Sequence, residues 1–118
     1  LKAAKRHFER EPNSIVGVYR CGELIGIVEL DAQKGAHALY GWISLICLKP
    51  EYRRCGYGIQ PLGYAITKFQ KLGYHSVRLH VSSENTAAVR FYERYGFEKL
   101  NEEAGAGAPL YLMEKKFK

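Results

Sequence analysis

The feature of this sequence that most constrains its fold is a change of hydrophobic period at Gly58. Before it, the run from Tyr40 to Leu48 is almost continuously apolar and rich in β-branched and aromatic residues, which predicts a strand buried on both faces. After it, apolar residues recur at helical spacing: Ile59, Leu62, Ala65, Ile66, Phe69 and Leu72. A strand, a glycine-containing turn and a helix in succession indicate the α/β part of a mixed sheet.

The other elements are predicted from alternation, helical spacing and turn residues. Cys21 and Gly22 separate two alternating strands and form a tight hairpin turn. In chain order we expect a helix at Leu1–Arg10, strands at Ser14–Arg20, Glu23–Asp31 and Tyr40–Leu48, a helix from Gly58 closed by Gly73, a strand at Ser76–Val81, a helix at Thr86–Tyr95 stopped by Gly96, and strands at Phe97–Leu100 and Leu110–Phe117 separated by a loop at Ala104–Pro109.

Composition limits the classes of function. The chain has 118 residues, a formal net charge of +6 and three cysteines, Cys21, Cys47 and Cys55. Its length suits one domain over residues 1–118. The cysteines are odd in number and lack metal-ligand spacing, so we expect reduced thiols, no metal and a cytoplasmic protein. No apolar run approaches the roughly 18 residues of a membrane helix. The positive charge favours an anionic partner, such as nucleic acid, an acidic surface or a polyphosphate cofactor.

The turn Arg53–Gly58 follows the apolar strand and opens the helix. Free backbone N–H groups and the dipole of a helix N-terminus attract phosphate at such a turn. Gly56 and Gly58 would let the main chain approach an anion closely and adopt positive φ, and Arg53 and Arg54 add positive charge. The third glycine and acidic partner of a dinucleotide fingerprint are not in place, and neither is a Walker lysine. The turn therefore indicates a site for another phosphorylated ligand.

Two sequence motifs carry a family resemblance. The first is Arg53-x-x-Gly56-x-Gly58, and the second runs from Asn85 to Phe97. The first resembles the Arg/Gln-x-x-Gly-x-Gly/Ala pyrophosphate loop of the GCN5-related N-acetyltransferase (GNAT) family. The second is similar to the Asn-x-x-Ala-x-x-x-Tyr-x-x-x-Gly-Phe segment of the same family. The motifs occur in the family's order, one helix and one strand apart, within a resemblance that covers about Ser14 to Phe117.

The resemblance implies a GNAT-like acyl-CoA N-acyltransferase fold of the α/β (α+β) class. Its mixed, mostly antiparallel sheet would be flanked by helices and splayed between the Tyr40–Leu48 and Ser76–Val81 strands, with acetyl-CoA as cosubstrate in the gap. Only a remnant helix precedes Ser14 in this sequence. If the family's first strand and one or two helices are absent, a sheet edge would be exposed to a partner or to a second copy in a homodimer. The implied cofactor-binding residues are Ile46, Cys47, Leu48, Arg53, Arg54, Cys55, Gly56, Tyr57, Gly58, Ile59 and Asn85.

The resemblance also implies roles in the transfer of an acetyl group to a primary amine. Backbone N–H groups around Ile46, Cys47 and Leu48 would polarise the thioester carbonyl where the strands part. Tyr92 would protonate the coenzyme A thiolate, because a phenol stays protonated at neutral pH. Its helical spacing also permits a core tyrosine with no catalytic role. Asn85 would hydrogen-bond the pantetheine arm, and it also suits a helix N-cap.

His80 is the candidate base for deprotonating the amine. Some relatives that acetylate protein N-termini carry a base five residues before the motif asparagine, and an imidazole titrates near neutral pH. The alternative is a strand histidine that faces solvent or makes a structural hydrogen bond. Glu29, on the second hairpin strand, is a rival base. The acceptor is either an amine-bearing small molecule or a peptide or protein N-terminus, and Arg53, Arg54 and His80 lean slightly towards the N-terminus.

Two other classes of function stay open at this point. Ile59 stands where many relatives have a hydroxyl or basic residue that reaches phosphate, although Gln60 could substitute for it. The chain could thus be a catalytically weak acetyl-CoA-binding sensor or structural domain. A basic RNA-binding module would use Tyr52 and Tyr57 as a stacking surface. Dispersed positive residues and the lack of a recognised nucleic-acid motif argue against that module.

Overall fold

The computed structural model of the protein describes residues 13–53 and 58–117. The predicted helix at Leu1–Arg10 lies outside this range. The described elements are β1 (Asn13–Arg20), β2 (Glu23–Asp31), β3 (Tyr40–Leu48), α1 (Ile59–Lys71), β4 (Ser76–Ser82), α2 (Thr86–Arg94), β5 (Glu98–Glu103) and β6 (Leu110–Lys116), with short 3-10 turns at Ala36–Ala38 and Pro50–Tyr52. No helix in the described ranges is long and apolar enough to cross a membrane.

The strands form one mixed sheet in the order β1-β2-β3-β4-β6-β5. β3 and β4 run parallel, and the other four neighbouring pairs are antiparallel. The crossover from β3 to β4 contains α1, as a parallel pair requires. The fold class expected from the sequence is therefore confirmed. β1 is an edge strand within the described part of the chain, and the homodimer expected from an exposed edge stays a prediction.

Local backbone geometry follows the turn residues. Cys21 and Gly22 both have positive φ, 51° and 82°, as a two-residue type I′ hairpin turn requires. Gly73 and Gly96 end α1 and α2 with φ of 84° and 95°, in the left-handed region where glycine carries no steric penalty. The helix ends and the β1–β2 hairpin therefore lie where their turn residues place them.

Both helices cover the same face of the sheet. α1 contributes three buried side chains to the core, and the half-buried apolar side chains of α2 pack against the same cluster. Successive strand residues point to opposite faces, so the residues that alternate with this core face away from the helices. The core residues are Val16, Val28, Leu30, Ile43, Leu62, Ala65, Phe69, Val77, Leu79, Val81, Phe97 and Met113.

The expectation that β3 is buried on both faces is wrong for its second half. Gly41, Trp42 and Ile43 are buried, but Leu45 is 43% exposed and Cys47 is also exposed. The change occurs where β3 loses β4 as a neighbour, because β4 pairs with β3 only as far as Ile43. The continuous apolar run therefore marks a strand that leaves the sheet interior midway.

Three smaller expectations also need correction. Ile59 and Leu72, at the two ends of α1, are 38% and 48% exposed and do not belong to the buried face of that helix. Gly58 has φ of −64°, in the right-handed helical region, so it does not supply the positive φ expected there. β5 continues to Glu103, beyond the predicted end at Leu100.

Candidate active site at the parting of two strands

The candidate site lies where β3 and β4 separate. The two strands pair over four residues each, from Tyr40 opposite Ser76 to Ile43 opposite Leu79. β3 then continues beside β2 and β4 beside β6, so within residues 13–53 and 58–117 their facing edges have no ladder partner beyond that point. A register shift adds to the separation, because Ser44 is the extra residue of a β-bulge and a bulge bends its strand.

Hydrogen bonding along β3 decides which of its amides point into the gap. Lys49 N donates to Ile25 O at 2.8 Å, just beyond the last β2–β3 residue pair. Since antiparallel residues alternate between facing their partner and facing away, the N–H groups of Leu48 and Ile46 point away from β2. The N–H of Cys47 points towards β2 by the same alternation. Of the three residues named from the sequence, two thus present amides to the gap and one belongs to the β2–β3 ladder.

The start of α1 borders the same region. Among the described residues, no side chain caps the helix at Gly58, and its first turn contains no acidic residue. The amides of the first turn lack intrahelical acceptors, as at every α-helix N-terminus. A Cβ on Gly58 would lie 3.2 Å from Cζ of Phe91, so the absence of a side chain lets α2 approach closely. The N-terminus of α1 could therefore hold an anion beside α2.

The preceding turn is described only as far as Arg53. The Nε of Arg53 donates to Leu48 O at 3.0 Å, which ties the end of β3 to the turn. The candidate phosphate-binding residues Arg54, Cys55, Gly56 and Tyr57 lie outside the described residues. Ile59 and Gln60, the first residues of α1, are exposed.

Tyr92 lies in α2 on the helix-covered face of the sheet. Its ring meets Phe91 and Phe97 edge-on, each at a centroid distance of 5.4 Å. Burial raises the pKa of Tyr92 from its ordinary 10.0 to about 12, because the phenolate would lose solvation there. The hydroxyl has no hydrogen-bond partner within the described ranges. Tyr92 is therefore protonated at physiological pH, and its hydroxyl is not engaged by any described residue.

Asn85 caps the same helix. Its Oδ1 accepts a hydrogen bond from Ala88 N at 3.2 Å, which satisfies one of the free amides of the first turn. The side-chain Nδ2 takes no part in that bond and is left for another acceptor. The capping alternative and the ligand-binding alternative thus use different atoms of one side chain.

His80 lies in β4, one residue past the last pair with β3. Its neighbours Leu79 and Val81 point into the core, so its own side chain lies on the face away from the helices. There its Nε2 contacts Glu103 Oε1, and its ring meets Trp42 edge-on at 4.9 Å. The candidate base and Tyr92 therefore lie on opposite faces of the sheet.

Glu29, the rival base, has a different setting. It is half-buried in β2 opposite Leu45, and it makes no hydrogen bond or ion pair within the described residues. No described residue orients its carboxylate towards the gap. His80 is thus the better positioned of the two candidates.

A second polar cluster on the His80 face is structural. Glu114 accepts hydrogen bonds from Arg78 Nε at 2.8 Å and Ser76 Oγ at 2.9 Å, and the Arg78 guanidinium stacks on the Tyr40 ring at 4.2 Å. Desolvation pushes the pKa of Glu114 up, but the two hydrogen bonds and the Arg78 charge outweigh it, so the pKa is lowered. The cluster ties β3, β4 and β6 together below the gap.

Sequence reasoning did not identify Glu103 or Trp42 as site residues. Glu103 falls between the predicted strand end at Leu100 and the predicted loop at Ala104–Pro109, and Trp42 lies in the strand predicted to be buried on both faces. No group of three His, Cys, Asp or Glu side chains that could hold a metal occurs among residues 13–53 and 58–117. The contact of His80 with both residues became apparent only from the strand order.

Comparison with known proteins relates this geometry to one family. Residues 2–97 match the family model described as the acetyltransferase (GNAT) family. Mycothiol acetyltransferase of Paenarthrobacter aurescens is 30% identical over 100 residues, which cover 82% of this chain and 31% of that protein. N-alpha-acetyltransferase 50 of Danio rerio is 39% identical over 57 residues, covering 48% of this chain and 33% of that protein. The chain thus spans about a third of the length of these curated relatives.

Solved structures show the same fold. The PaiA N-acetyltransferase of Thermoplasma acidophilum, in complex with coenzyme A, superposes with a TM-score of 0.76 at 27% identity, over 96% of this chain and 66% of that one. The F149A mutant of spermidine N-acetyltransferase SpeG from Vibrio cholerae gives a TM-score of 0.79 at 24% identity, over 98% of this chain and 72% of that one. The overall fold of this chain is therefore shared with known acetyltransferases.

Proposed function

Because the chain belongs to the GNAT family of acetyltransferases, we propose that it binds acetyl-CoA and transfers the acetyl group to a primary amine by direct attack in a ternary complex. One observation carries the proposal. Within the described part of the chain, the separation of β3 from β4 leaves strand amides unpaired, between a buried protonated phenol on one face and a histidine on the other. An acetyl donor and an amine could thus meet in the gap from opposite sides.

The proposed acetyl-CoA site uses main-chain groups above all. The amides of Ile46 and Leu48 would donate hydrogen bonds to the thioester carbonyl and the pantetheine arm. The bound arm would thus lie along β3 in the place of a neighbouring strand. The turn Arg53–Gly58 and the first amides of α1 would hold the pyrophosphate. Asn85 Nδ2 would donate to the pantetheine while its Oδ1 keeps the helix cap. The fit of this site to the cosubstrate rests on the free strand edge and the uncapped helix start.

In the proposed reaction, His80 first accepts one proton from the incoming ammonium group, directly or through a water molecule. The neutral amine then attacks the thioester carbonyl carbon, and a C–N bond forms as negative charge develops on the carbonyl oxygen. The strand amides of Ile46 and Leu48 stabilise that charge, and donors of this kind contribute about 3–4 kcal/mol each in well-studied acyl transfers.

Tyr92 completes the reaction when the tetrahedral intermediate collapses. The C–S bond breaks, and Tyr92 donates its proton to the departing thiolate. The amide nitrogen releases its second proton, and the phenolate regains one from solvent. The products are the N-acetylated amine and coenzyme A, with one proton released overall.

For the acceptor we propose a peptide or protein N-terminus ahead of a small amine. The 39% identity to an N-alpha-acetyltransferase over residues that make up about half of this chain supports this choice. Mycothiol acetyltransferases are also similar to the chain, so a small-molecule acceptor is the competing outcome. We place the protein in the cytoplasm, on the argument that Cys21 and Cys47 are exposed and not disulfide-bonded, which suits a reducing compartment.

The first test is thermal unfolding with saturating acetyl-CoA, and with NADH at equal concentration as an anionic control. A ligand at a hundred times its Kd adds about 2.7 kcal/mol, which raises the Tm of a small domain by about 4–8 °C. We expect that rise with acetyl-CoA alone. An equal rise with both ligands, or none with acetyl-CoA, would contradict the proposed site.

The second test is release of free coenzyme A in the presence of amine acceptors. The panel contains peptides with free N-termini, the same peptides with blocked N-termini, spermidine and an aminoglycoside. We expect turnover with free N-termini and a loss of about 10²–10⁴-fold in kcat for His80→Ala. Binding of acetyl-CoA without turnover on any acceptor would instead support a sensor, and RNA binding without acetyl-CoA binding would support a basic RNA-binding module.

A further inference from the structure

Glu103 is the carboxylate that contacts His80. It is the last residue of β5, and its Oε1 meets Nε2 of the imidazole. β6 lies between β4 and β5, with Leu112 opposite His80 and Leu110 opposite Glu103. The two side chains therefore reach diagonally across β6 on the face away from the helices.

Trp42 packs against the other side of the His80 imidazole. The two rings are nearly perpendicular, at 83°, with centroids 4.9 Å apart, and Trp42 is buried. His80 keeps 31% of its side chain exposed, so part of the ring stays open to solvent between Trp42 and Glu103. The imidazole is thus held on two sides and accessible on a third.

The contact with Glu103 decides which ring nitrogen is free. A carboxylate accepts hydrogen bonds, so Nε2 of the neutral imidazole carries the hydrogen and donates it to Glu103. The lone pair is then on Nδ1, which is the nitrogen able to take a proton. No other acidic side chain of the described ranges contacts this ring, since Glu114 is bound to Arg78 and Ser76.

We propose that Glu103 is a positioning residue for His80, a role that rests on the proposed acetyltransferase function. Its carboxylate fixes the imidazole in the tautomer with a basic Nδ1. When Nδ1 accepts one proton from the ammonium group of the acceptor, both ring nitrogens carry hydrogen, and the imidazolium forms beside the negative charge of Glu103. The proton stays on the imidazole until it passes to solvent, and Glu103 remains ionised throughout.

Glu102 provides a matched control. It is the preceding carboxylate of β5, but it points to the opposite face and pairs with Lys99 at 2.9 Å. This pair is exposed, so its removal changes stability little. A Glu102→Gln variant thus alters net charge and β5 as much as Glu103→Gln does, without touching His80.

The test is a double-mutant cycle in the coenzyme A release assay, with acetyl-CoA and a peptide with a free N-terminus. We expect Glu103→Gln to lower kcat about ten- to a hundredfold, with unchanged KM for acetyl-CoA and unchanged Tm, while Glu102→Gln behaves as wild type. Glu103→Asp should recover part of the lost activity. In the His80→Ala background, Glu103→Gln should have no further effect, because a positioning residue acts only through the group it positions.

Three outcomes would overturn the role of Glu103. Glu103→Gln could match wild type, it could lower kcat equally with and without His80, or Glu102→Gln could lower kcat as much. In each of these three cases the wild-type protein is active, so the proposed function would still stand. A wild-type protein that transfers acetyl groups to no acceptor of the panel overturns the proposed function and this inference together.

Discussion

Replacing Tyr92 with Phe should change how stability depends on alkaline pH. The Tyr92 hydroxyl lies in the aromatic cluster of Phe91 and Phe97, where burial raises the pKa of Tyr92 to about 12. In the unfolded chain its pKa returns to about 10. Below that value the phenol is protonated in both states, so Tyr92 adds no pH dependence to folding.

Between about pH 10 and pH 12, the unfolded state releases the Tyr92 proton and the folded state retains it. Stability therefore falls as pH rises through this window. At about pH 11 the two pKa values give a loss of about 1.4 kcal/mol, and the full difference of about two pKa units corresponds to about 2.7 kcal/mol. A phenylalanine at this position cannot titrate, so Tyr92→Phe lacks this loss.

The assay is guanidinium unfolding of wild type and Tyr92→Phe at about pH 8 and about pH 11, followed by fluorescence of Trp42, the single tryptophan of the chain. The other tyrosines and the lysines titrate in both proteins and cancel in the difference. We expect the stability of wild type relative to the variant to fall by about 1.4 kcal/mol from the lower to the higher pH. A constant difference would refute the reasoning, because it would mean that the phenol is solvated and its proton no more firmly held than in water.

The remaining predictions concern single side chains. Gly41→Ala should lower the free energy of unfolding by about 1–3 kcal/mol, because the new Cβ would overlap the Phe69 ring. Phe69→Ala should relieve that overlap. In urea unfolding, the double variant should therefore lose less stability than the sum of the two single variants. Asn85→Ser should keep the helix cap and the Tm but raise the KM for acetyl-CoA, whereas Asn85→Ala should also lose about 1 kcal/mol of stability. Cys21→Asn should raise the urea midpoint by the equivalent of about 1 kcal/mol, because asparagine tolerates the positive φ of the hairpin turn better than cysteine does. An unchanged midpoint would contradict the type I′ assignment.

The parts of the fold that follow from the sequence depend on local rules. The change of period at Gly58, the hairpin at Cys21 and the helix end at Gly73 each involve residues close in sequence, with one physical cause apiece. Asn85 could be identified as a cap for the same reason. The family motifs then predicted where the sheet parts, because they fix which strand precedes the turn.

The parts that could not be predicted depend on which strands become neighbours. His80 and Glu103 are 23 residues apart and meet only because β6 inserts between β4 and β5. The polar end of β5 lacks the apolar alternation that identifies a strand in sequence. β5 is an edge strand, and the residues of an edge strand can be exposed to solvent. The sequence also does not show why position 41 must be glycine. The reason is that the ring of Phe69, which lies 28 residues later in α1, packs directly against Gly41.

The two-faced arrangement of the site also explains how a small chain could bind two substrates at once. Tyr92 and the N-terminus of α1 lie on the helix-covered face, and His80 with Glu103 lies on the other, with the parted strands between them. If acetyl-CoA enters from the first face and the amine from the second, neither needs to leave before the other binds. In the proposed reaction, the sheet would separate His80, which accepts a proton from the amine, from Tyr92, which donates a proton to the thiolate. The two side chains would then not exchange protons with each other. Direct attack within a ternary complex is the mechanism that this separation favours.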